Sequence, residues 1–533
     1  MLDIALQNFI FSNPSRLDLV SYQKKRTGIT KKIAIYRNHS FEFIESTIAP
    51  YLEFAGYDVE FTYSDYDDTL SFFNIDAASD ALIVWLDVSR YSMKNANEFI
   101  KSRLEYLVEI YKKPILIALL GKNDVKKQFF QFPINDIAKE IGESFWDYKR
   151  EYFTGSKISS RAMLRISMEL GLNYIPSMLC APLKAVVIDL DNTLYAGTLG
   201  EDGINGIKID EKYKYLQNSL LQLKKQGILL AVASKNEASD VERMFKVNNA
   251  FEIKYEDFSK VCATWENKSI SISKIARFLN IGFESILFVD DNPGELAEVE
   301  LALPEVKKLL ANKDSRITAE MIRNYPGIKR WGINYEDVIR DSDIRANEKR
   351  RELQSHMSQQ EYIQSLHMKL CYFIDDSSAQ ERIAELANKT NQFIFSYKRY
   401  TLATIKNLME SQNSAVVSVS LKDDLSDSGI IAVFVGKKEE KTLLLDECFI
   451  SCRALGRGIE LLLVQKGIHV LMNDLETEKL KVNFIEGERN CPARDFVYKY
   501  LKKYIDSENT WEFRDNGIFV EITIKNEGVT YGK

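Results

Sequence analysis

The 533-residue chain is poor in histidine and cysteine, and this scarcity argues against several kinds of site. It holds four histidines and six cysteines, the latter at positions 180, 262, 371, 448, 452 and 491. Cys448 and Cys452 are four residues apart, but no second cysteine or histidine pair completes a zinc site with them. We therefore expect reduced thiols, as in a cytoplasmic protein, and no structural zinc.

Long apolar runs and a surplus of one charge are also missing. No uninterrupted apolar stretch approaches the roughly 20 residues that span a membrane. The opening residues, MLDIALQNFIFSNPSRLD, lack the basic segment and apolar core of a secretory signal. The 71 Lys and Arg residues nearly balance the 77 Asp and Glu residues, giving a net charge of −6. We expect a cytoplasmic protein whose partners include neither a membrane nor a nucleic acid.

What the chain does contain is enough apolar sequence, 45% of its residues, for several domains with their own cores. The first part alternates short apolar runs with helical segments, which predicts a parallel sheet covered on both faces. The predicted strands are KKIAIY (31–36), DVEFTY (58–63), DALIVWLDV (80–88) and PILIALLG (114–121).

A second α/β segment carries reactive side chains at the predicted ends of three strands. In open α/β sheets, ligands bind beyond the carboxyl ends of the strands. A single pair of carboxylates there is more often a turn or a helix cap, but several such positions in order favour a site. They are Asp189 and Asp191 after KAVVI, Ser234 at the end of ILLAVAS, Lys268 at a helix start, and Asp290 and Asp291 after ILFV.

These residue types fit phosphoryl transfer. Clustered aspartates repel one another unless a hard cation joins them, and Mg²⁺ prefers carboxylate oxygens with water and phosphate. One carboxylate can act as a nucleophile and form an aspartyl-phosphate. A second, two residues later, can protonate the leaving oxygen and then activate water. A serine hydroxyl and a lysine ammonium would stabilise the charge on the transferring oxygens.

The constellation resembles the haloacid dehalogenase (HAD) superfamily of phosphotransferases, whose motifs it matches in order over 184–295. The resemblance implies that Asp189 is the nucleophile and Asp191 the general acid/base, with its backbone carbonyl also on Mg²⁺. It implies that Ser234 and Lys268 form the second and third motifs. The implied metal set is Asp189, Asp191, Asp290 and Asp291, with Asp290 the firmer ligand of the fourth motif.

The interval between the first two motifs is short. It holds the flap YAGTLGEDGINGIKI and one predicted helix, and no large lid fits before Asp290 either. Many HAD enzymes insert a cap domain there. We expect a site that is open to a bulky substrate, or closed by another domain or partner.

The C-terminal part, from about 366, has the mixed strands and helices of an α+β domain. The run SCRALGRGIE places small residues before an amphipathic helix, where backbone amides can approach a phosphate. This placement resembles the pyrophosphate loop of GNAT N-acyltransferases, and ERNCPARDFVYKYLKK resembles a later helix of that fold. The resemblance implies a site for coenzyme A or a phosphopantetheine arm at Arg453, Gly456, Arg457 and Gly458.

The whole chain, from about 30 to 525, resembles the FkbH-like proteins. Their marks recur as DLDNTL, GEDG, SKN, WENK, FVDDNP, TNQFIFSYKRYT and SCRALGRGIE. The resemblance implies an enzyme that dephosphorylates 1,3-bisphosphoglycerate and loads the glyceryl unit onto the phosphopantetheine thiol of an acyl carrier protein. Such a reaction supplies polyketide and related assembly lines. Because an acyl phosphate is already activated, the thiol can displace it without ATP.

The expected architecture is α/β and multidomain. We predict an SGNH-like α/β domain over 1–180, a HAD-like Rossmannoid domain without a large cap over 181–310, a solvated helical linker over 311–365 and a GNAT-like α+β domain over 366–533. The first strand is followed by RNHSFEF rather than the Gly-Asp-Ser of SGNH hydrolases, although His39 and Ser40 lie near the expected place. We therefore expect a scaffold or a carrier-protein docking role there, not a hydrolase.

Several roles remain open from the sequence. Cys452 is the best candidate for a glyceryl thioester, or else a small residue facing the core. Arg453 and Arg457 either pair with phosphate or are ordinary surface arginines. The alternatives to glyceryl transfer are a plain phosphatase, a C-terminal domain that only binds carrier protein or coenzyme A, and acetyl transfer to an amine.

Overall fold

The computed structural model describes residues 3–526 except 26–27, 67–68, 73–74, 94, 124–128, 331–345, 347–349, 351–352, 354–356, 391, 452–453, 456, 488–489, 506 and 512–520. The chain divides into two compact units, 1–338 and 339–533. Unit 1 contains two parallel sheets and unit 2 contains one mixed sheet, so the fold is mixed α/β and multidomain. None of the described helices combines the length and apolarity that a membrane span requires.

The first sheet of unit 1 has four parallel strands in the order β2-β1-β3-β4, which confirms the predicted parallel pairing. Its strands are β1 (Ile29–Arg37), β2 (Tyr57–Tyr63), β3 (Ala81–Asp87) and β4 (Ile115–Leu120). Alternate residues of β1 enter two separate apolar cores, one on each face, because successive side chains of a strand point to opposite sides. The helices are Ile4–Phe11, Arg16–Val20, Glu42–Phe54, Ala96–Ile110, Ile134–Ile141, Tyr148–Thr154, Ser160–Glu169 and Ile175–Leu179.

The second sheet has five parallel strands in the order β7-β6-β5-β8-β9. They are β5 (Ala185–Ile188), β6 (Leu229–Ser234), β7 (Lys260–Ala263), β8 (Ile286–Asp290) and β9 (Lys307–Leu310). The fully buried strand β5 lies at the centre and pairs with both β6 and β8. Because the strands are parallel, their carboxyl ends share one edge. The helices are Leu199–Gly206, Glu211–Lys225, Ala238–Val247, Lys268–Leu279, Pro293–Ala302 and Ser315–Arg323.

The prediction of a solvated linker over 311–365 is wrong near both ends of this range, where the structure describes buried helices. The helix Ser315–Arg323 buries Met321 and Ile322 in the core of the second sheet. Its apolar residues recur at helical spacing on one face, which requires a partner surface. In unit 2, Tyr362 of the helix Gln359–Ser365 is likewise buried in the core. Residues 331–345 of this prediction lie outside the described residues, and the domain boundaries stay predictions.

Unit 2 is built on a seven-stranded sheet in the order β15-β14-β13-β12-β11-β10-β16. Strands β10 to β13 are antiparallel neighbours, whereas β13 and β14 are parallel. The strands are β10 (Lys369–Ile374), β11 (Ser414–Lys422), β12 (Asp427–Glu439), β13 (Thr442–Ile450), β14 (Lys479–Val482), β15 (Asn509–Thr510) and β16 (Glu521–Asn526). The helices are Gln359–Ser365, Gln380–Lys389, Leu402–Met409, Glu460–Asp474 and Cys491–Tyr500.

Candidate active site

Three carboxylates meet at the carboxyl edge of the second sheet. Asp189 follows the central strand β5, Asp290 ends the neighbouring strand β8, and Asp291 comes directly after it. One oxygen of each lies within 4.8 Å of the others. Asp189 is 6% exposed and Asp290 is fully buried. The sequence therefore identified correctly which strand ends come together.

Lys268 lies among these carboxylates. Its Nζ is 2.5 Å from Oδ1 of Asp189 and 3.1 Å from Oδ2 of Asp290, and it donates to the carbonyl oxygen of Ala233 at 2.8 Å. Lys268 begins the helix Lys268–Leu279, and its side chain is almost completely buried. Burial acts to lower the pKa of Lys268, but the charges of Asp189 and Asp290 raise it, so the ammonium stays charged.

The cluster carries more negative charge than its described surroundings neutralise. Burial raises the pKa of Asp189, against the influence of Lys268. Burial and the charge of Asp189 together raise the pKa of Asp290 to about 7, and burial raises the pKa of Asp291. Such shifts are expected where three carboxylates share one ammonium in a low-dielectric site.

The donor set fits a magnesium ion. Three carboxylate groups with oxygens in mutual reach are the ligands that Mg²⁺ accepts, alongside water and phosphate. Oδ2 of Asp290 is buried and, among the described residues, receives no well-directed hydrogen bond; its contact with Lys268 is ionic. The ammonium of Lys268 is shared between this oxygen and Oδ1 of Asp189, so a second cation would relieve the negative charge that remains. Asp189, Asp290 and Asp291 would hold the ion.

The carboxylate of Asp191 points elsewhere. Its Oδ1 accepts hydrogen bonds from the hydroxyl of Tyr195 at 2.6 Å and from the backbone N–H of Leu199 at 2.9 Å. Its Oδ2 accepts one from Nδ2 of Asn236 at 2.9 Å. The side chain of Asp191 is therefore separate from the three-carboxylate cluster. The metal contact predicted through its backbone carbonyl stays a prediction.

Asn236 is a site residue that the sequence reasoning did not single out. Ser234 ends β6 and is buried, and its Oγ accepts a hydrogen bond from Nδ2 of Asn236 at 3.0 Å. The same amide donates to Asp191, so it joins the first motif to the second. The sequence signal was the triplet Ser-Lys-Asn at the end of a buried strand, where a polar side chain two residues later returns to the sheet edge.

The flap between the first two motifs is small, as predicted, but it contains a short helix of its own, Leu199–Gly206. Gly197 precedes this helix with φ of +101°, a conformation that favours glycine. A Cβ there would also lie 2.8 Å from Oδ2 of Asp202, which caps the backbone N–H of Thr198. The flap is thus a tight turn held by its own carboxylate.

In the first sheet, His39 and Ser40 do not form a nucleophile and base in the described part of the chain. The hydroxyl of Ser40 donates to Glu42 at 2.8 Å. His39 is 1% exposed, stacks on Trp85, and has Nδ1 3.5 Å from the hydroxyl of Ser156. Burial lowers the pKa of His39 to about 3. The SGNH-like identity of this domain is not confirmed.

The predicted phosphate loop of unit 2 is described only in part. Cys452, Arg453 and Gly456 lie outside the described residues. Gly458 has φ of +78°. Arg457 is 2% exposed, so its interpretation as a surface arginine is wrong. The cofactor-binding roles of the loop stay predictions.

The reason for the burial of Arg457 is a charge network that sequence did not indicate. Its guanidinium donates to Oδ2 of Asp423 at 3.2 Å and to the hydroxyl of Ser428 at 2.8 Å. Arg350 donates to both oxygens of the same aspartate, at 2.9 and 2.7 Å. A buried arginine requires such pairing.

Residues 393–398 lie along the end of β13, next to the predicted phosphate loop. The backbone N–H of Ile450 donates to the carbonyl oxygen of Phe393 at 2.9 Å. The backbone N–H of Phe395 donates to the carbonyl oxygen of Cys448 at 3.1 Å. The buried carboxylate of Glu447 accepts further N–H groups of this segment, including that of Lys398 at 2.9 Å. Phe393 and Phe395 are core residues.

No family model matches the chain, and no curated protein matches its sequence. Among solved structures, the N-terminal part of a Bacteroides fragilis protein, containing a phosphatase domain complexed with Mg, is 21% identical; the match covers 60% of this chain and 100% of that chain, with a TM-score of 0.46.

Two further solved structures match about a quarter of the chain each. A 3-deoxy-D-manno-octulosonate 8-phosphate phosphatase from Moraxella catarrhalis, in complex with magnesium, phosphate and its sugar, is 18% identical over 26% of this chain and 86% of that chain, with a TM-score of 0.19. A spermidine N-acetyltransferase variant from Vibrio cholerae is 12% identical over 25% of this chain and 77% of that chain, also with a TM-score of 0.19.

Proposed function

We propose that the protein is a Mg²⁺-dependent phosphotransferase of the HAD type. The observation that carries this proposal is the cluster of Asp189, Asp290 and the half-buried Asp291, in which three carboxylates meet the ammonium of Lys268 and negative charge is left over. A site with this imbalance binds a hard cation and, through it, a phosphate. Bound Mg²⁺ would neutralise the carboxylates and draw charge from the phosphoryl oxygens.

Asp189 is the nucleophile of the proposed reaction. Lys268 holds its Oδ1, which leaves Oδ2 to attack phosphorus while the bond to the leaving oxygen breaks. Asp191 gives its proton to that leaving oxygen. It then takes a proton from the water that hydrolyses the aspartyl-phosphate. The hydroxyl of Ser234 and the ammonium of Lys268 stabilise the transferring oxygens.

The finer proposal concerns substrate and acceptor. We take 1,3-bisphosphoglycerate as the donor and the phosphopantetheine thiol of an acyl carrier protein as the acceptor. The thiol sulfur attacks the acyl carbon, the acyl C–O bond breaks, and the phosphate leaves with the thiol proton. The second phosphoryl group then passes to Asp189, and water hydrolyses the aspartyl-phosphate. The support is the resemblance to FkbH-like proteins and the small flap, which inserts a short helix rather than a cap domain.

Intact-protein mass spectrometry tests this proposal. Incubating the protein with Mg²⁺, 1,3-bisphosphoglycerate and the holo carrier protein encoded nearest to it should yield glyceryl-loaded carrier. The carrier without its phosphopantetheine arm is the matched control and should gain no mass. An unchanged holo carrier in the presence of active protein would refute the transfer. If the holo carrier stays unchanged while generic phosphoesters still release phosphate, the protein is a plain phosphatase.

A further inference from the structure

The hydrogen bonds around Asp191 distinguish its two carboxylate oxygens. Each oxygen has two acceptor positions. On Oδ1, the hydroxyl of Tyr195 and the N–H of Leu199 fill both, at 2.6 and 2.9 Å. On Oδ2, Nδ2 of Asn236 fills one, at 2.9 Å. Among the described residues, the second acceptor position of Oδ2 receives no donor, so a proton can lie there without displacing one.

We infer that Tyr195 and Asn236 are positioning residues that orient Asp191, so that the proton of the proposed phosphoryl transfer moves on and off its Oδ2. This assignment rests on the proposed function, in which Asp191 is the acid and base. We assign neither residue a contact with the substrate. Tyr195 and Asn236 act by fixing the rotation of one carboxylate.

Tyr195 is suited to this role because its ring cannot move freely. It is completely buried and packs edge-on against Phe251, with ring centroids 6.0 Å apart. Burial and the charge of Asp191 raise the pKa of its hydroxyl well above the usual range, so the hydroxyl remains a donor. Tyr195 and Leu199 both belong to the flap, and hence the flap fixes the orientation of Oδ1.

Asn236 holds the other oxygen from the opposite side. Its Nδ2 carries two protons, and the structure uses both, one for Oδ2 of Asp191 and one for Oγ of Ser234. Asn236 is 2% exposed. The acid/base group and the hydroxyl that contacts the transferring oxygens are therefore held in one geometry by a single amide.

In the first step, the proton on Oδ2 passes to the leaving oxygen as its bond to phosphorus breaks and the bond from Asp189 forms. In the second step, Oδ2 accepts a proton from the attacking water as the aspartyl-phosphate bond breaks. A misplaced carboxylate harms the first step most when the leaving oxygen is strongly basic.

Leaving-group dependence therefore tests the assignment. kcat/KM should be measured with Mg²⁺ on p-nitrophenyl phosphate, phenyl phosphate and glycerol phosphate, whose leaving groups are progressively more basic. For Tyr195→Phe and Asn236→Ala, we expect a loss of under about 10-fold on the first substrate and of about 100-fold or more on the last. Lys235→Ala is the matched control in the same loop: its ammonium pairs with Glu295 at 2.6 Å, and its losses should be small and uniform.

Magnesium affinity, measured by calorimetry, provides a readout independent of turnover. It should stay within about threefold of wild type in both variants, because the Asp191 carboxylate lies outside the cluster of Asp189, Asp290 and Asp291. Equal losses on all three phosphates, or tenfold weaker Mg²⁺ binding, would overturn the assignment while leaving the proposed function standing. A wild-type protein that hydrolyses none of them, with Asp189→Asn no different, would refute both.

Discussion

Each of the two parallel sheets of unit 1 has an aspartate at the carboxyl end of a strand. In the described chain, only the second sheet gathers such aspartates into a charged cluster that resembles an active site. Asp87 ends β3 of the first sheet, as Asp290 ends β8 of the second. Both are buried. Their neighbours differ, however, and the neighbours decide what each carboxylate can do.

Asp87 is neutralised within its own domain. Its Oδ2 is 2.7 Å from Nζ of Lys157, and its Oδ1 accepts from the backbone and hydroxyl of Ser89. Although burial acts to raise it, the pKa of Asp87 is held below its usual value by Lys157 and Ser89. The pKa of Asp290 is raised instead. A carboxylate at a strand end thus indicates a binding or catalytic site when no neighbouring cation fully neutralises it. It indicates a structural network when a neighbouring cation does.

The largest expected effect comes from making the same substitution in both sheets. Asp189→Asn should lower Mg²⁺-dependent phosphate release by at least about 1,000-fold, because it removes the nucleophile. Asp87→Asn should leave the rate per folded molecule within about twofold and lower the unfolding free energy by about 3 kcal/mol, since Lys157 loses its ion-pair partner. Steady-state kinetics and denaturant titration measure the two effects. Equal kinetic losses would end the distinction between the sheets.

A second prediction concerns the surplus charge itself. Asp290→Asn should weaken Mg²⁺ binding by at least about 10-fold and yet raise the thermal midpoint of the metal-free protein by about 2 °C, because it removes a buried repulsion. Calorimetric titration and a thermal scan in chelator measure the two quantities. Loss of stability in the metal-free protein would show that Lys268 already balances the cluster.

A third prediction is a pH dependence of stability in the first sheet. The folded-state pKa of His39 is about 3, below the unfolded value of about 6.5, so between these values the unfolded chain binds more protons. Stability is therefore lost as the pH falls below 6.5, by about 2 kcal/mol at pH 5. His39→Phe, which keeps a ring against Trp85, should reduce the drop in stability between pH 8 and 5 by that amount. An identical pH profile in the variant would contradict a buried neutral His39.

Sequence was sufficient for the features that depend on local pattern. Runs such as AVVI before Asp189 and ILFV before Asp290 are too apolar for anything but buried strands, and parallel pairing then brings their ends together. The position of Lys268 followed from its place at a helix start, and its side chain reaches Asp189.

Contacts between distant segments were not accessible in this way. Nothing in the sequence around Arg457 indicates that it pairs with Asp423, 34 positions earlier. The position of Tyr195 in the flap sequence does not distinguish it from its neighbours. Only the fold shows that its hydroxyl donates to Asp191. The charged composition of the helix Ser315–Arg323, in which the polar face dominates, predicts a solvated linker. The burial of its apolar face depends on a partner surface that the local sequence does not reveal.

The central claim is that Asp189 becomes phosphorylated. Brief incubation with Mg²⁺ and acetyl phosphate, an acid quench and borohydride reduction, which converts an aspartyl-phosphate to homoserine, should label the peptide that contains Asp189. Peptide mass spectrometry reads the position directly. We predict homoserine at residue 189 in wild type and none in Asp189→Asn. Turnover of acetyl phosphate without this product, or with the label on another residue, would contradict the account.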